Sequence, residues 1–307
     1  MSEASTEMLR KVRRIEIATR RQVSDAIAGA YKSVFKGQGM DFEEVREYQA
    51  GDEIRSIDWN VTARTGKAHV KKYREERELT MMIAVDLSAS GNFGSLGQSK
   101  RELGAELAST LAFSAVYNGD KVGLALFTDD MELVIPPRKG RGHILRLIRD
   151  ILYFKPKRTG TNIAKALDGV NRLLKRRAIV VLISDFLQGP NGKLPNTGAG
   201  TGDALLKALD LTNRRHDLIC VNVFDEREIS LPSGLGAIRL EDSETGECIE
   251  LDTFNADVRK AYAEENETRI KNFRTALARS DIDSLNVCAG KPYIVALRKF
   301  FERRKRA

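Results

Sequence analysis

The chain has 307 residues, of which 42% are hydrophobic and 31% charged, and its formal net charge is +8. This apolar fraction supports a folded core and excludes a disordered, collagen-like or low-complexity chain. No apolar run reaches the roughly 18 to 20 residues that a membrane helix needs. The amino-terminal residues are charged throughout and lack the apolar stretch of a signal peptide, so we expect a cytoplasmic protein without a membrane span.

The amino-terminal quarter of the chain is dominated by charged residues. Apolar residues recur at helical spacing over the first thirty residues, and Gly29 is a candidate stop for that helix. Residues 68–73 alternate between apolar and polar, as in an exposed strand. We predict an amino-terminal extension over residues 1–78 with little core of its own, followed by a single domain over residues 79–307.

From residue 79 onward, predicted strands and helices alternate. Strands are predicted over 79–87, 121–127, 131–135, 178–184, 218–224 and 283–287. Helices are predicted over 100–117, 142–153, 162–174, 204–213, 256–277 and 293–304. This alternation predicts an α/β fold, in which a doubly wound and mainly parallel sheet has helices on both faces. The uninterrupted apolar run 178–183 is typical of a central strand.

Positive charge is concentrated in one segment. Residues 138–177 contain thirteen Lys or Arg against two Asp, a local charge of +11. A nucleic acid, an acidic protein surface and a plain solvated helix face all fit this segment. Only two aromatic residues lie within it, which weakens binding to single-stranded nucleic acid, so nucleic acid is the less favoured partner. The candidate partner-binding residues are Arg138, Lys139, Arg141 and Arg158.

Oxygen-bearing side chains are predicted to meet at the carboxyl edge of the sheet, where ligands bind in doubly wound folds. They lie in three loops, each of which closes a predicted strand or opens the following helix. The set is Asp86, Ser88, Ser90, Thr161 and Asp185. Carboxylate and hydroxyl oxygens, without sulfur or imidazole, favour Mg²⁺, with Mn²⁺ or Ca²⁺ as alternatives. Capping of strand ends by Asp and Ser is the simpler alternative.

The Asp-x-Ser-x-Ser motif, a later Thr-opened helix and a strand-terminal Asp together resemble the metal-ion-dependent adhesion site of von Willebrand factor A domains. By that resemblance, Ser88 and Ser90 bind the ion directly, and Thr161 binds directly or through water. Asp86 and Asp185 bind largely through bridging waters. A cation held in this way stays under-neutralised, so it can accept a carboxylate from another protein.

A second resemblance covers nearly the whole chain. Its signature is Gly39-Met-Asp-Phe-Glu-Glu-Val-Arg-Glu-Tyr-Gln-Ala-Gly-Asp-Glu-Ile-Arg-Ser-Ile-Asp-Trp59, continued by Ala63-Arg-Thr-Gly-Lys67. The pattern is similar to that of the domain-of-unknown-function family 58. The resemblance implies a von Willebrand A-like core after the signature, and a MoxR-type AAA+ ATPase, or the client protein it remodels, as the partner.

The signature itself is rich in opposite charges around the single tryptophan. We predict an ion-pair network that docks the extension on the core, with a partner-binding surface as the alternative. Its residues are Arg46, Asp52, Arg55, Asp58, Trp59 and Arg64.

The function predicted from these features is a non-enzymatic, metal-dependent protein-interaction module, acting as an adaptor or client receptor for the ATPase. Two alternatives remain open. A Mg²⁺-dependent phosphohydrolase also places an Asp at a strand end, but Ser88 stands where such enzymes need a second acid. Nucleic-acid binding through the basic segment predicts an affinity that falls steeply with salt.

Overall fold

The computed structural model describes residues 3–22, 25–35, 39–76, 78–187, 201–241, 243 and 246–306. Their contacts form two compact units. The larger unit combines Met1–Val34 with Thr80–Ala307, and the smaller one is Phe35–Leu79.

The helices and strands are numbered in chain order. The helices are α1 (Glu3–Gln22), α2 (Asp25–Val34), α3 (Trp59–Thr65), α4 (Lys100–Tyr117), α5 (Arg141–Tyr153), α6 (Ile163–Leu173), α7 (Thr201–Arg215), α8 (Ala256–Arg279) and α9 (Ile294–Arg306). The strands are β1 (Gly39–Glu47), β2 (His69–Glu76), β3 (Thr80–Asp86), β4 (Lys121–Phe127), β5 (Met131–Arg138), β6 (Ile179–Ser184), β7 (Asp217–Phe224), β8 (Ala237–Glu241), β9 (Cys248–Asp252) and β10 (Asp283–Cys288).

Within the described part of the larger unit, six strands form one sheet in the order β10-β7-β6-β3-β4-β5. β5 runs antiparallel to β4, and the other neighbouring pairs are parallel. The predicted mainly parallel α/β fold is confirmed. β3 and β6 are almost fully buried because they lie at the centre of the sheet with helices on both faces.

Successive residues of each central strand point to opposite faces of the sheet. On one face, Met82 and Leu182 pack with the apolar sides of α6, α7 and α8. On the other face α4 lies against the strands so closely that a Cβ on Gly104 would stand 3.5 Å from Ile183. The alternation of strands and helices therefore buries both sides of the sheet.

The unit boundary differs from the predicted one, because α1 and α2 belong to the larger unit rather than to a separate extension. Val12 and Ile15 of α1 are buried, and α1 packs against α4 and α5. The buried Tyr31 hydroxyl of α2 donates a 2.8 Å hydrogen bond to Asp120. Gly29 lies inside α2 and does not end it. Apolar residues at helical spacing among many charges thus mark a covering layer of the core.

The smaller unit is a two-stranded antiparallel sheet, β1 with β2, joined through α3. β1 and α3 were not anticipated from the sequence, whereas the predicted strand at 68–73 corresponds to β2. Asp58 begins α3 by accepting hydrogen bonds from the Asn60 and Val61 amides, and Gly66 ends it at a φ of +73°. Short capped elements of this kind need few apolar residues, which explains why charge dominates this segment.

Only part of the predicted signature network forms among the described contacts. Arg46 and Asp52 make a bidentate pair, at 2.7 and 2.8 Å. Asp58 pairs with Lys71 at 3.3 Å rather than with an arginine. Arg55 and Arg64 are exposed, and Trp59 has 67% of its surface exposed, so the tryptophan is not a buried anchor of this unit. The arginine–aspartate pair fixes the turn after β1.

A second small sheet, β8 paired with β9, was also not predicted. Its residues are mostly exposed and alternate without a strong apolar face, which gives a weak strand signal in sequence. None of the helices in the described ranges combines the length and the hydropathy that a bilayer-spanning segment requires.

Candidate functional site

The sheet has a topological switch point between β3 and β6. The chain continues from β3 to its neighbour β4 on one side, whereas β6 and then β7 add to the other side. In register, Val85 of β3 stands beside Ile183 of β6, so Asp86 and Ser184 end these strands side by side. The carboxyl edge at a switch point is the usual ligand position in open α/β sheets.

Asp86 is held rigidly at this edge. Its Oδ1 accepts a 2.8 Å hydrogen bond from the Ser88 amide, and its Oδ2 accepts a 2.7 Å bond from the Ser184 hydroxyl. Burial, together with the negative charge of Asp185, raises the pKa of Asp86 to about 7. The carboxyl group is therefore in a place where additional positive charge would stabilise its ionised form.

The two serines connect Asp86 to Asp185. The Ser88 and Ser90 hydroxyl oxygens lie 3.1 Å apart, and the Ser90 hydroxyl donates a 2.7 Å hydrogen bond to Asp185 Oδ2. The other Asp185 oxygen accepts a 3.0 Å bond from the Leu187 amide. The structure thus brings four of the five predicted residues into one hydrogen-bonded chain, although Asp185 lies about a hundred positions from Asp86 in sequence.

Thr161 reaches the same edge through its loop. The Ala89 amide donates a 3.0 Å hydrogen bond to the Thr159 carbonyl, and the Asn162 amide donates a 2.9 Å bond to the Thr128 carbonyl. Thr161 lies half-buried between these two anchors. The backbone therefore places the Thr161 loop directly beside the two serines.

Lys100 and Glu228 are the site residues that sequence reasoning missed. The Lys100 ammonium donates a 2.5 Å bond to Asp185 Oδ2 and also bonds Glu228 Oε1, and its side chain is only 3% exposed. Burial opposes the charge of Lys100, but the carboxylates of Asp185 and Glu228 outweigh it and raise its pKa. One signal was available: a lysine in the first turn of a helix is disfavoured by the helix dipole, so it needs an acidic partner.

The donor set fits a small divalent cation. A cavity of about 20 Å³ lies among Asp86, Ser88, Ser90 and Asp185, with Lys100 on its wall. That volume accommodates one water-sized guest. Among the described residues, no three His, Cys, Asp or Glu side chains are grouped as metal ligands would be, so a cation here depends on the serine hydroxyls. Hydroxyl and carboxylate oxygens are the ligands that Mg²⁺ prefers.

The four predicted partner-binding residues do not form one free patch. Arg141 pairs at 2.6 Å with the buried Glu16 of α1, so it fastens that helix to the core. Arg158 lies within 3.4 Å of Asp129. Arg138 and Lys139 are exposed at the end of β5. Part of the +11 segment is thus used to hold the fold together.

The loop between Ser90 and Lys100 depends on a close backbone approach at Gly94. A Cβ there would lie 2.2 Å from the carbonyl oxygen of Gln98. The clash is with main-chain atoms, so the backbone itself would have to move to relieve it. We expect Gly94→Ala to destabilise the chain by about 1–3 kcal/mol and to disturb the site. Chemical denaturation measures the effect. Gly142→Ala is the matched control, since its Cβ meets nothing within 4 Å, and an equal loss in both variants would contradict the expectation.

A family model described as protein of unknown function DUF58 matches residues 44–272. The chain belongs to this family. The DUF58 match includes the five predicted site residues as well as Lys100 and Glu228. The chain is 31% identical over 237 residues to uncharacterized protein Rv1480 of Mycobacterium tuberculosis, a match that covers 76% of this chain and 70% of the relative. Uncharacterized protein MAV169 of Mycobacterium avium is 26% identical over 56% of this chain and 94% of its own.

Solved structures similar to this DUF58 chain are distant in sequence. BatB from Bacteroides thetaiotaomicron is 16% identical, with a TM-score of 0.44 over 75% of this chain and 100% of its own. The SpRpn10 VWA domain is 11% identical, with a TM-score of 0.39 over 74% of this chain and 95% of its own.

Proposed function

We propose that this DUF58 chain is a non-enzymatic protein-interaction module whose partner binding depends on a divalent cation at the Asp86–Asp185 site. The observation that supports it is the hydrogen-bonded chain of Asp86, Ser88, Ser90 and Asp185 around a cavity at the switch point. Mg²⁺ is the expected ion, with Mn²⁺ or Ca²⁺ as substitutes. Thr161 is the fifth residue of the proposed site.

The chemistry of these residues suits binding rather than turnover. Ser88 and Ser90 offer neutral hydroxyl ligands, and the two carboxylates are oriented by backbone and side-chain donors. A cation bound there retains part of its positive charge, so it can take a carboxylate of another protein as a further ligand. The residues of this chain would fix the position of the cation at the edge of a rigid sheet.

The proposed partner is a MoxR-type AAA+ ATPase or the client protein that it remodels, with an acidic residue presented to the cation. The resemblance of the signature segment supports this choice of partner. The net charge of +8 favours approach of an acidic surface, and Arg138 and Lys139 are exposed to meet one.

We expect Asp86→Asn to weaken Mg²⁺ or Mn²⁺ binding by about 10–100-fold, because it removes a charge while keeping the side-chain shape. Calorimetric titration of chelator-treated protein measures the affinity. Pull-down by an immobilised MoxR-type ATPase should be lost with EDTA and weakened in the variant.

Asp168→Asn is the matched control, since Asp168 is exposed on α6. It should bind metal and partner like the unmodified chain. Capture that is indifferent to EDTA and to Asp86→Asn would refute a metal-dependent interface. Hydrolysis of a phosphate ester that disappears in Asp86→Asn would instead favour the phosphohydrolase alternative.

A further inference from the structure

A buried ammonium lies where the proposed cation would act. The Lys100 Nζ is 2.5 Å from Asp185 Oδ2, the same oxygen that accepts the Ser90 hydroxyl bond. It is also bonded to Glu228, and both Lys100 and Asp185 side chains are at most 5% exposed. The same oxygen of Asp185 therefore belongs to the proposed metal site and also accepts a hydrogen bond from Lys100.

We infer that Lys100 competes with the divalent cation for Asp185, and that metal binding breaks the contact of its ammonium with Asp185 and leaves the contact with Glu228. This inference rests on the proposed function. In the metal-free chain the lysine neutralises Asp185. When the ion is bound, its positive charge repels the lysine ammonium, which leaves Asp185 and remains paired with Glu228.

Glu228 is well placed to retain the lysine. Its Oε2 accepts a 2.9 Å hydrogen bond from the Asp225 amide, which fixes the carboxylate while Oε1 faces Lys100. Asp225 in turn accepts bonds of 2.8 and 2.6 Å from the amide and hydroxyl of Ser95. Arg269 adds a further positive charge whose field reaches Glu228 and Asp185. The second carboxylate is thus part of a fixed structure and does not need to move.

The arrangement also selects the charge of the ion. A monovalent cation that replaced Lys100 at Asp185 would exchange one positive charge for another, and so gain little. A divalent cation brings one extra charge to two buried carboxylates, and the attraction is large where water is excluded. Lys100 therefore raises the cation concentration that is needed to fill the site, and it favours a divalent ion over Na⁺ or K⁺.

The lysine is linked to the rim of the site. The Lys100 amide donates a 2.9 Å hydrogen bond to the Phe93 carbonyl, and Ser99 caps α4 just before it. Phe93 is 44% exposed in the loop that follows Ser90. The backbone at Lys100 therefore helps to fix the loop that a partner would meet.

The test is metal affinity in Lys100→Met, which removes the charge and keeps most of the side-chain volume. We expect Mg²⁺ and Mn²⁺ to bind at least about tenfold more tightly than in the unmodified chain, since a competing charge is gone. Lys121→Met is the matched control: it makes the same change of net charge at the opposite edge of the sheet, at the exposed start of β4. Its affinity should be unchanged.

If Lys100→Met does not fold, the double variant Lys100→Met/Glu228→Gln removes both the ammonium and its second carboxylate, and tighter binding is again expected. A second readout follows the lysine directly in the unmodified chain. Nuclear magnetic resonance of lysine ammonium groups should show the Lys100 signal, identified by its absence in the variant, shifting as Mg²⁺ is added.

The outcomes separate the two proposals. Tighter binding in Lys100→Met with a shifting Lys100 signal supports the competitor. Equal affinity in both proteins, or a Lys100 signal unchanged at saturating Mg²⁺, overturns the inference and leaves the metal site standing. If neither the unmodified chain nor either variant binds Mg²⁺ or Mn²⁺, the proposed function fails, and the inference fails with it.

Discussion

Phe186→Ala is expected to destabilise the chain by about 3–5 kcal/mol. Phe186 is 1% exposed, and its ring packs against Phe273 of α8 with centroids 4.6 Å apart. Truncation would leave a cavity between β6 and α8, because neither a strand nor a helix can collapse locally to fill it. It would also loosen the segment that positions Asp185, so metal affinity should fall together with stability.

The backbone at Phe186 allows a sharper version of this test. Its φ is +55°, a left-handed conformation that suits glycine and costs other residues about 1 kcal/mol or more. The Phe186 amide is held there by a 3.0 Å bond to the Ser184 hydroxyl. At most positions glycine is less stable than alanine, but here Phe186→Gly should be as stable as Phe186→Ala or more so. Urea denaturation of the two variants measures this order.

Phe254→Ala is the control for truncation of a phenylalanine, because 69% of the Phe254 surface is exposed. Its effect should stay within about 0.5 kcal/mol. A small loss of stability in Phe186→Ala would contradict the contribution of the ring. A Phe186→Gly variant clearly less stable than Phe186→Ala would contradict the strain of the backbone at this position.

The central fold could be predicted because its signals are local. β3 and β6 are short apolar runs, and α4 has apolar residues at helical spacing, so strand and helix periods are visible directly. The two-stranded sheets and the position of α1 could not be predicted in this way. Most residues of β8 and β9 are exposed, and charged residues are frequent in α1, β1 and β2. Contacts with distant parts of the chain decide where these elements lie.

The residues of the candidate site also differ in whether local sequence signals predict them. Asp86 ends β3, Ser88 and Ser90 come just after it, and Asp185 follows β6. The rule for carboxyl edges therefore brings these residues together. Glu228 lies in a short turn after β7, and nothing in its neighbouring sequence indicates that it faces Lys100. The signature arginines were predicted to form a network from composition alone. Composition does not specify partners, and Asp58 pairs with Lys71 instead.

Lys100→Met is expected to lower the free energy of unfolding of the metal-free chain by about 3–5 kcal/mol. The reason is that Lys100 is the ammonium between two carboxylates, Asp185 and Glu228, whose side chains are only 5% and 17% exposed. Removing the lysine leaves these carboxylates without their closest positive charge in a place where water cannot replace it. Burial already raises the pKa of Glu228, even with the lysine present.

Divalent metal should restore much of this loss, because a bound cation stabilises the folded state in proportion to the logarithm of its concentration over Kd. At a Mg²⁺ concentration of about 100 Kd for the variant, the expected gain is about 2.7 kcal/mol. If the unmodified chain binds tenfold more weakly, the same concentration gives it only about 1.4 kcal/mol. Thermal and urea unfolding with and without Mg²⁺ measure both gains. Equal gains in the two proteins would mean that the ammonium and the metal do not compete for Asp185, and a loss that Mg²⁺ cannot reduce would place the cation elsewhere.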